Sequence, residues 1–253
     1  MHLRHLPFLC LSLAAVPPLG ANTAVIPTPL GDGWLKRHEG FVQEAKAGGI
    51  ELLFLGDSLT DDWRYEVQKG IPRGKRLWDR EYAPLHAANF GISADRTQHL
   101  LWRLQHGELD GISPRVVVLM IGNNNAGLTP DTHTLRNTAP EIIEGIRKVL
   151  AELRTRLPRS RVLLLSVLPR GLKENPVWPE LREVNAALKT WDNGDTIRYL
   201  DILQGFLTPE GELSRDLMPD LSHPNDKGFK VWADAMRPLL SEMMAGTTGS
   251  PAP

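Results

Sequence analysis

Ile50-Glu51-Leu52-Leu53-Phe54-Leu55, followed by Gly56-Asp57-Ser58-Leu59-Thr60, is an apolar run of strand length that stops at a glycine and passes into residues suited to a helix start. A strand with apolar residues at consecutive positions has to be covered on both faces, which is the habit of parallel sheets lying between two helix layers. The unit recurs. Apolar runs at 87–90, 116–121, 162–168 and 197–202 are each followed by a helix-like or loop segment. Between them, 98–104, 142–157, 181–191 and 229–240 place large apolar residues three and four apart, as Ile142, Ile146, Val149, Leu150 and Leu153 do. Strand followed by helix, repeated along the chain, predicts an α/β fold of three layers, α/β/α, built on a doubly wound five-stranded parallel sheet. A further helix is expected within 25–49, around Trp34 and Phe41.

Composition agrees with one soluble unit. The 253 residues are 42% hydrophobic and 23% charged, which excludes fibrous and wholly disordered classes. Lysine plus arginine (29) nearly balances aspartate plus glutamate (30), so no basic field calls for a nucleic acid. The turn-rich stretches 70–74 and 171–179 are too short for linkers and read as surface loops of a single domain over 25–245. Residues 246–253, small, polar and proline-containing, read as a flexible tail.

The first 24 residues read differently from the rest. A short basic start, an apolar run from Leu6 to Val16, and a small-residue exit ending at Ala24 form the pattern of a signal peptide. The run is shorter than the ~20 residues a membrane span needs and ends at Pro17 and Pro18, so export without stable membrane insertion is expected. Cys10, the single cysteine, lies inside this leader, which leaves a cleaved chain without disulfides, thiolate metal sites or a cysteine nucleophile. Histidines 86, 99, 106 and 133 are scattered without ligand spacing, so neither metal nor cofactor is expected.

In doubly wound folds the loops after the strands gather at one sheet edge, where ligands bind. Four elements there carry unusual residues. Ser58 sits at a strand-to-helix turn, where helix N–H groups favour negative charge, although Asp and Ser are also ordinary helix caps. Gly91 permits close backbone approach with its N–H, or is a plain turn glycine. Asn124, in Gly122-Asn123-Asn124-Asn125, is a turn former or an amide donor to an oxyanion. Asp220, three residues before His223, can accept the imidazole Nδ1–H and turn Nε2 toward a serine, although a lone histidine near a helix start is more often structural. Converging on one edge, the four make a complete acyl-transfer constellation.

These blocks resemble those of the SGNH (GDSL) hydrolases: Gly-Asp-Ser-Leu at 56–59, Gly91, Gly122-x-Asn124 and Asp220-x-x-His223. Within that superfamily, Asn89-Phe90-Gly91, Leu101-Trp102-Arg103-Leu104, Gly107-Glu108-Leu109 and Leu168-Pro169-Arg170-Gly171 are similar to stretches of platelet-activating factor acetylhydrolase catalytic subunits and their bacterial relatives. The resemblance implies a flavodoxin-like SGNH fold and a carboxylic ester hydrolase. It implies Ser58 as nucleophile, His223 as base and Asp220 as its orienting acid, with an oxyanion hole of Ser58 N–H, Gly91 N–H and the Asn124 amide. It also implies a small acyl pocket, with Leu59, Ile92 and Leu172 as candidate walls, and a homodimer. Export adds a carbohydrate ester as the expected substrate, with phospholipid or lysophospholipid hydrolysis, or a non-catalytic carbohydrate-binding module, as alternatives. Asp57 is expected to tie down the serine turn.

Overall fold

The structure, a computed structural model, describes residues 20–245. Its centre is a parallel sheet of β1 (Leu52–Gly56), β4 (Ala87–Gly91), β5 (Val116–Met120), β6 (Arg161–Leu165) and β7 (Ile197–Leu200) in the order β4-β1-β5-β6-β7. The expected five strands are present, each differing from the sequence reading by a few residues at its ends. A hairpin of β2 (Val67–Gln68) and β3 (Ile71–Pro72) stands apart from this sheet. The helices are α1 (Asp32–Ala47), α2 (Ser58–Asp61), α3 (Lys75–Glu81), α4 (Thr97–Gln105), α5 (Ala139–Arg156), α6 (Val177–Lys189) and α7 (Asp226–Ala245).

Alternation along the strands shows why they read as unbroken apolar runs. Leu53 and Leu55 of β1, with Val117 and Leu119 of β5, pack against α1, α4, α5 and α6. Leu52 and Phe54, with Val116, Val118 and Met120, pack on the other face beneath α3 and α7. All ten residues of β1 and β5 are buried. The three-layer architecture therefore follows from two apolar faces on one sheet.

Strand order reverses between β4 and β5 on either side of β1, so the loops after these strands diverge and leave a crevice at the carboxyl end of β1. Two glycines let the chain fill it closely. A Cβ on Gly56 would collide with Thr60 Oγ1 and the Met120 carbonyl, and one on Gly91 with the backbone N of Asp61. Neither has a left-handed φ. They are required by close approach, which lets α2 sit directly on the strand ends.

Residues 1–19 of the expected leader and residues 246–253 of the expected tail lie outside the described residues. Ordered packing begins before Val25. Ala24 is fully buried, its carbonyl accepts a hydrogen bond from Thr97 Oγ1 at 2.7 Å, and Asn22 Nδ2 donates to the Glu141 carbonyl at 3.3 Å. Among the described residues no helix is long and apolar enough to cross a membrane.

Candidate active site

The turn from β1 into α2 is built by Asp57. Its Oδ1 accepts the Leu59 N–H at 3.0 Å, and its carbonyl accepts from Thr60 and Asp61, so the chain starts a helix at Ser58. Ser58 is half-buried, and its N–H has no acceptor among the described residues. Across the crevice, the loop before α7 brings His223 Nε2 to 3.1 Å from Ser58 Oγ.

The imidazole is held from behind. His223 Nδ1 lies 2.9 Å from Asp220 Oδ2, and Asp220 Oδ1 accepts the N–H of Ser222 and of His223 at 2.9 and 2.7 Å. The loop turns at Leu221, whose φ of 52° is left-handed, and Asn225 Oδ1 accepts the Gly228 N–H to start α7. Partial burial pushes the Asp220 carboxyl upward, but the hydrogen bonds from the His223 side chain and backbone outweigh it and hold the group below the usual carboxylate range. An ionised Asp220 fixes Nδ1 as the protonated nitrogen, leaving Nε2 to accept the Ser58 hydroxyl proton.

Asn124 is the third expected element present. Its Nδ2 donates to the Asp95 carbonyl at 3.0 Å and lies 3.4 Å from Asp57 Oδ2, at the wall of an about 260 Å³ cavity that also holds Ser58 and His223. Gly91 is not at this wall. Its N–H donates to Asn89 Oδ1 at 2.9 Å, and its Cα is pressed against α2, so the expected oxyanion role of Gly91 is corrected. Ala94, three residues on, lines the cavity instead. Its φ of 69° is left-handed, and its N–H has no acceptor among the described residues. The Ala94 N–H is therefore a free backbone donor on a residue of the cavity that holds Ser58.

Of the expected acyl-pocket walls, Leu59 lines the cavity, whereas Ile92 is buried in the hydrophobic core and Leu172 is exposed on the surface. Ile71, at the β2–β3 hairpin, is a wall that sequence reasoning missed.

Two further carboxylates belong to the site. Asp62 lines the cavity near His223, paired with Arg73 at 3.2 Å; burial raises it to about 6 against the opposing Arg73 and His223 charges. Arg73 also donates to the Pro224 carbonyl at 2.6 Å, tying the hairpin to the histidine loop. Asp57 is raised to about 7, first by complete burial and then by neighbouring Asp95, with the Leu59 N–H opposing.

The raised Asp57 carries a stability consequence. The unfolded carboxyl ionises near 4 while the native one keeps its proton to about 7, so native protein binds more protons across that window and stability falls as pH rises through it. Asp57→Asn keeps an oxygen for the Leu59 N–H but has no charge to bury. Its melting temperature should therefore gain on the wild type between pH 5 and pH 8; a gap that is the same at both values would mean that Asp57 does not titrate in this window.

Among the described residues no group of three or more His, Cys, Asp or Glu side chains is placed to hold a metal ion. The arrangement can carry out proton transfer and nucleophilic attack by an alkoxide at an electrophilic carbon.

Comparison with known proteins agrees with this chemistry. Residues 54–231 match the model of the GDSL-like Lipase/Acylhydrolase family. The chain is 35% identical over 238 residues to human platelet-activating factor acetylhydrolase IB subunit alpha1, covering 92% of this chain and 95% of that one. It is 33% identical over 217 residues to the rat alpha2 subunit, covering 85% and 87%. Similar solved folds include a putative acylhydrolase from Bacteroides fragilis (TM-score 0.63, 15% identity, 81% and 96% covered). An acetylxylan esterase from Geobacillus stearothermophilus is also similar (TM-score 0.57, 21% identity, 78% and 94% covered). The chain belongs to the GDSL-like lipase and acylhydrolase family and is an ester hydrolase.

Proposed function

We propose that the protein removes acetyl-sized acyl groups from alcohol esters by an acyl-enzyme mechanism, with O-acetylated carbohydrate outside the cytoplasm as its substrate. The observation that carries the mechanism is the unbroken chain from Asp220 Oδ2 through the imidazole to Ser58 Oγ, 2.9 and 3.1 Å in its two steps.

Ser58 Oγ attacks the ester carbonyl while His223 Nε2 takes its proton, and Asp220 stabilises the imidazolium. The carbonyl oxygen becomes an oxyanion among the N–H groups of Ser58 and Ala94 and the Asn124 amide. Donors fixed before the reaction stabilise that charge without reorganising, each worth about 10² to 10³ in turnover. The tetrahedral adduct collapses as His223 returns the proton to the leaving alcohol. Water then attacks the acyl-serine, giving its proton to His223, and the carboxylic acid leaves with Ser58 restored.

Small acyl size is supported by the lining: of the cavity residues only Leu59, Ile71 and Ala94 are apolar, too little surface for a long acyl chain. Acetyl is also the group named for the human and Geobacillus proteins. The carbohydrate assignment rests on the leader-like residues 1–24, which call for export. A phospholipid substrate is the second reading, favoured by the 35% identity to the human acetylhydrolase subunit.

A panel of p-nitrophenyl esters from acetyl to octanoyl, run beside acetylated xylo-oligosaccharides that bear uronate groups and an acetylated lysophospholipid, tests both. Each added methylene that cannot be housed costs about 1 to 3 kcal/mol, so kcat/KM should fall at least tenfold by butyryl. The acetylated sugar should exceed the lipid. Equal or rising rates toward octanoyl would overturn the small-pocket reading, and preference for the lipid would overturn the carbohydrate one.

A further inference from the structure

Beside the oxyanion donors lie three arginines that the mechanism does not use. Arg170, in the loop after β6, lines the cavity, and its Nη1 is 3.4 Å from Asn124 Oδ1. Arg136, before α5, donates from Nη1 to the Asn124 carbonyl at 3.3 Å. The two guanidiniums converge on Gly127, where a Cβ would collide with Nη2 of Arg170 and Nη1 of Arg136. Arg96, before α4, lies near enough to Arg136 for their charges to repel.

Such a cluster is electrostatically unfavourable as it stands. Among the described residues none of the three has a carboxylate in ion-pair contact, and the only side-chain or carbonyl acceptors reached by Arg136 and Arg170 are the two oxygens of Asn124. The nearby buried carboxylates Asp95 and Glu108 are taken by Arg103. Asp57, the acid that offsets Arg170, is raised to about 7 and carries only part of a charge at neutral pH. Burial and then the neighbouring Arg136 hold both Arg96 and Arg170 below the usual guanidinium range. A cluster of half-buried guanidiniums with open donors is relieved by a planar or tetrahedral oxyanion, which their forks bind in pairs of hydrogen bonds.

We propose that Arg136 and Arg170 form an anion site beside Asn124 at the edge of the serine cavity, selecting esters whose alcohol portion carries a carboxylate or a phosphate. The site lies in the alcohol portion because an acetyl group has no room for a second charged group. Arg170 meets the Oδ1 end of the same carboxamide whose Nδ2 end is the proposed oxyanion donor, so the anion and the ester would sit at opposite ends of the Asn124 amide. Lys69, which also lines the cavity from the hairpin turn, adds a positive charge across the opening. The inference rests on the acyl-enzyme reading and narrows its acetylated carbohydrate to one that carries an acidic group near the ester.

Three aryl acetates of similar size separate the possibilities: phenyl acetate, 4-acetoxybenzoate and 4-acetoxyphenyl phosphate. At low salt, kcat/KM for one of the charged esters should exceed that for phenyl acetate by about tenfold or more, the scale of a charge-assisted pair. Which one leads distinguishes a carboxylate ligand from a phosphate ligand. The excess should shrink toward unity at about 0.5 M salt, where screening is short-ranged, and should drop several-fold in Arg136→Gln. Charged esters no better than phenyl acetate, or a preference indifferent to salt and to Arg136→Gln, would overturn the site. Calorimetric binding of benzoate and phenyl phosphate to the wild-type protein reads the site without turnover. Binding of either with no hydrolysis of any ester would keep the anion site and remove the acyl-enzyme reading, whereas hydrolysis of phenyl acetate with no anion binding would do the reverse. If Arg136→Gln fails to fold, the salt dependence of the wild type decides.

Discussion

Ser58→Ala is expected to lower kcat on an acetyl ester by about 10³- to 10⁶-fold while leaving the melting temperature within a few degrees of wild type. The loss is large because the hydroxyl is the bond-forming atom, and nothing else within reach of His223 Nε2 in this cavity is a comparable nucleophile. It is not total, since the Ala94 and residue-58 N–H groups and the Asn124 amide remain to stabilise an oxyanion made by direct water attack. Stability should hardly change: the side chain is half-buried, and the turn is secured by Asp57, whose Oδ1 and carbonyl take the N–H groups of Leu59, Thr60 and Asp61. Steady-state rates and a thermal melt check both halves. A serine-reactive organophosphonate should add one mass equivalent to the wild type and none to the variant. Turnover retained in the variant would take the nucleophile role from Ser58, and absence of labelling in the wild type would favour a binding module.

The same region shows which parts of the site sequence could reveal. Ser58 and Asn124 were legible because each is an unusual residue at a strand exit, Asp220 and His223 because of their spacing just before the last helix, and strand exits were legible because both sheet faces are buried. The second backbone donor was not. A glycine is the usual sign of an exposed N–H or a left-handed turn, and Gly91 drew that reading. Here the glycine serves close packing on Asp61, and the left-handed residue is Ala94, an alanine that nothing in the sequence distinguishes. Strain at a non-glycine position is maintained by surrounding contacts: Asp95 N–H bonded to Ile92 on one side and the Asp95 carbonyl held by Asn124 on the other.

Two elements escaped for reasons of length. β2 and β3 are two residues each, joined by Lys69 and Gly70, both with left-handed φ (50° and 76°), and such short strands leave no alternation to read. Helix α3 is seven residues and buries mainly Trp78, too few apolar positions to establish a period. Yet this stretch supplies Ile71, Lys69 and Arg73 to the cavity rim. The part of the chain with the weakest periodic signal is the part that shapes the substrate opening.

Arg103 is the least legible residue of consequence, and replacing it should produce the largest loss of stability in the protein. In sequence it is a charged position on an otherwise apolar helix face. In the fold its side chain is wholly buried, with Nε 2.9 Å from Asp95 Oδ2, Nη1 paired with Glu108 Oε1, and Nη1 also donating to the Phe90 carbonyl at 3.0 Å. Trp34 Nε1 donates to Asp95 Oδ1 at 2.6 Å, and His38 Nδ1 lies 3.3 Å from Glu108 Oε2, so the network joins α1, α4 and the end of β4. Arg103→Met fills the volume but strands two buried carboxylates, which costs about 3 to 5 kcal/mol. Without the guanidinium, only the Trp34 hydrogen bond opposes the burial of Asp95, already raised to about 6, so the native variant would hold protons that the unfolded chain releases. Stability then falls as pH rises, and the deficit against wild type should be larger at pH 8 than at pH 5. Activity should fall as well, since Asp95 carries the carbonyl that orients the Asn124 amide and follows Ala94 directly. Denaturant unfolding at the two pH values measures the effect. A deficit below about 1 kcal/mol, the range of an exposed pair, would mean that the Asp95–Arg103–Glu108 cluster is solvated rather than buried.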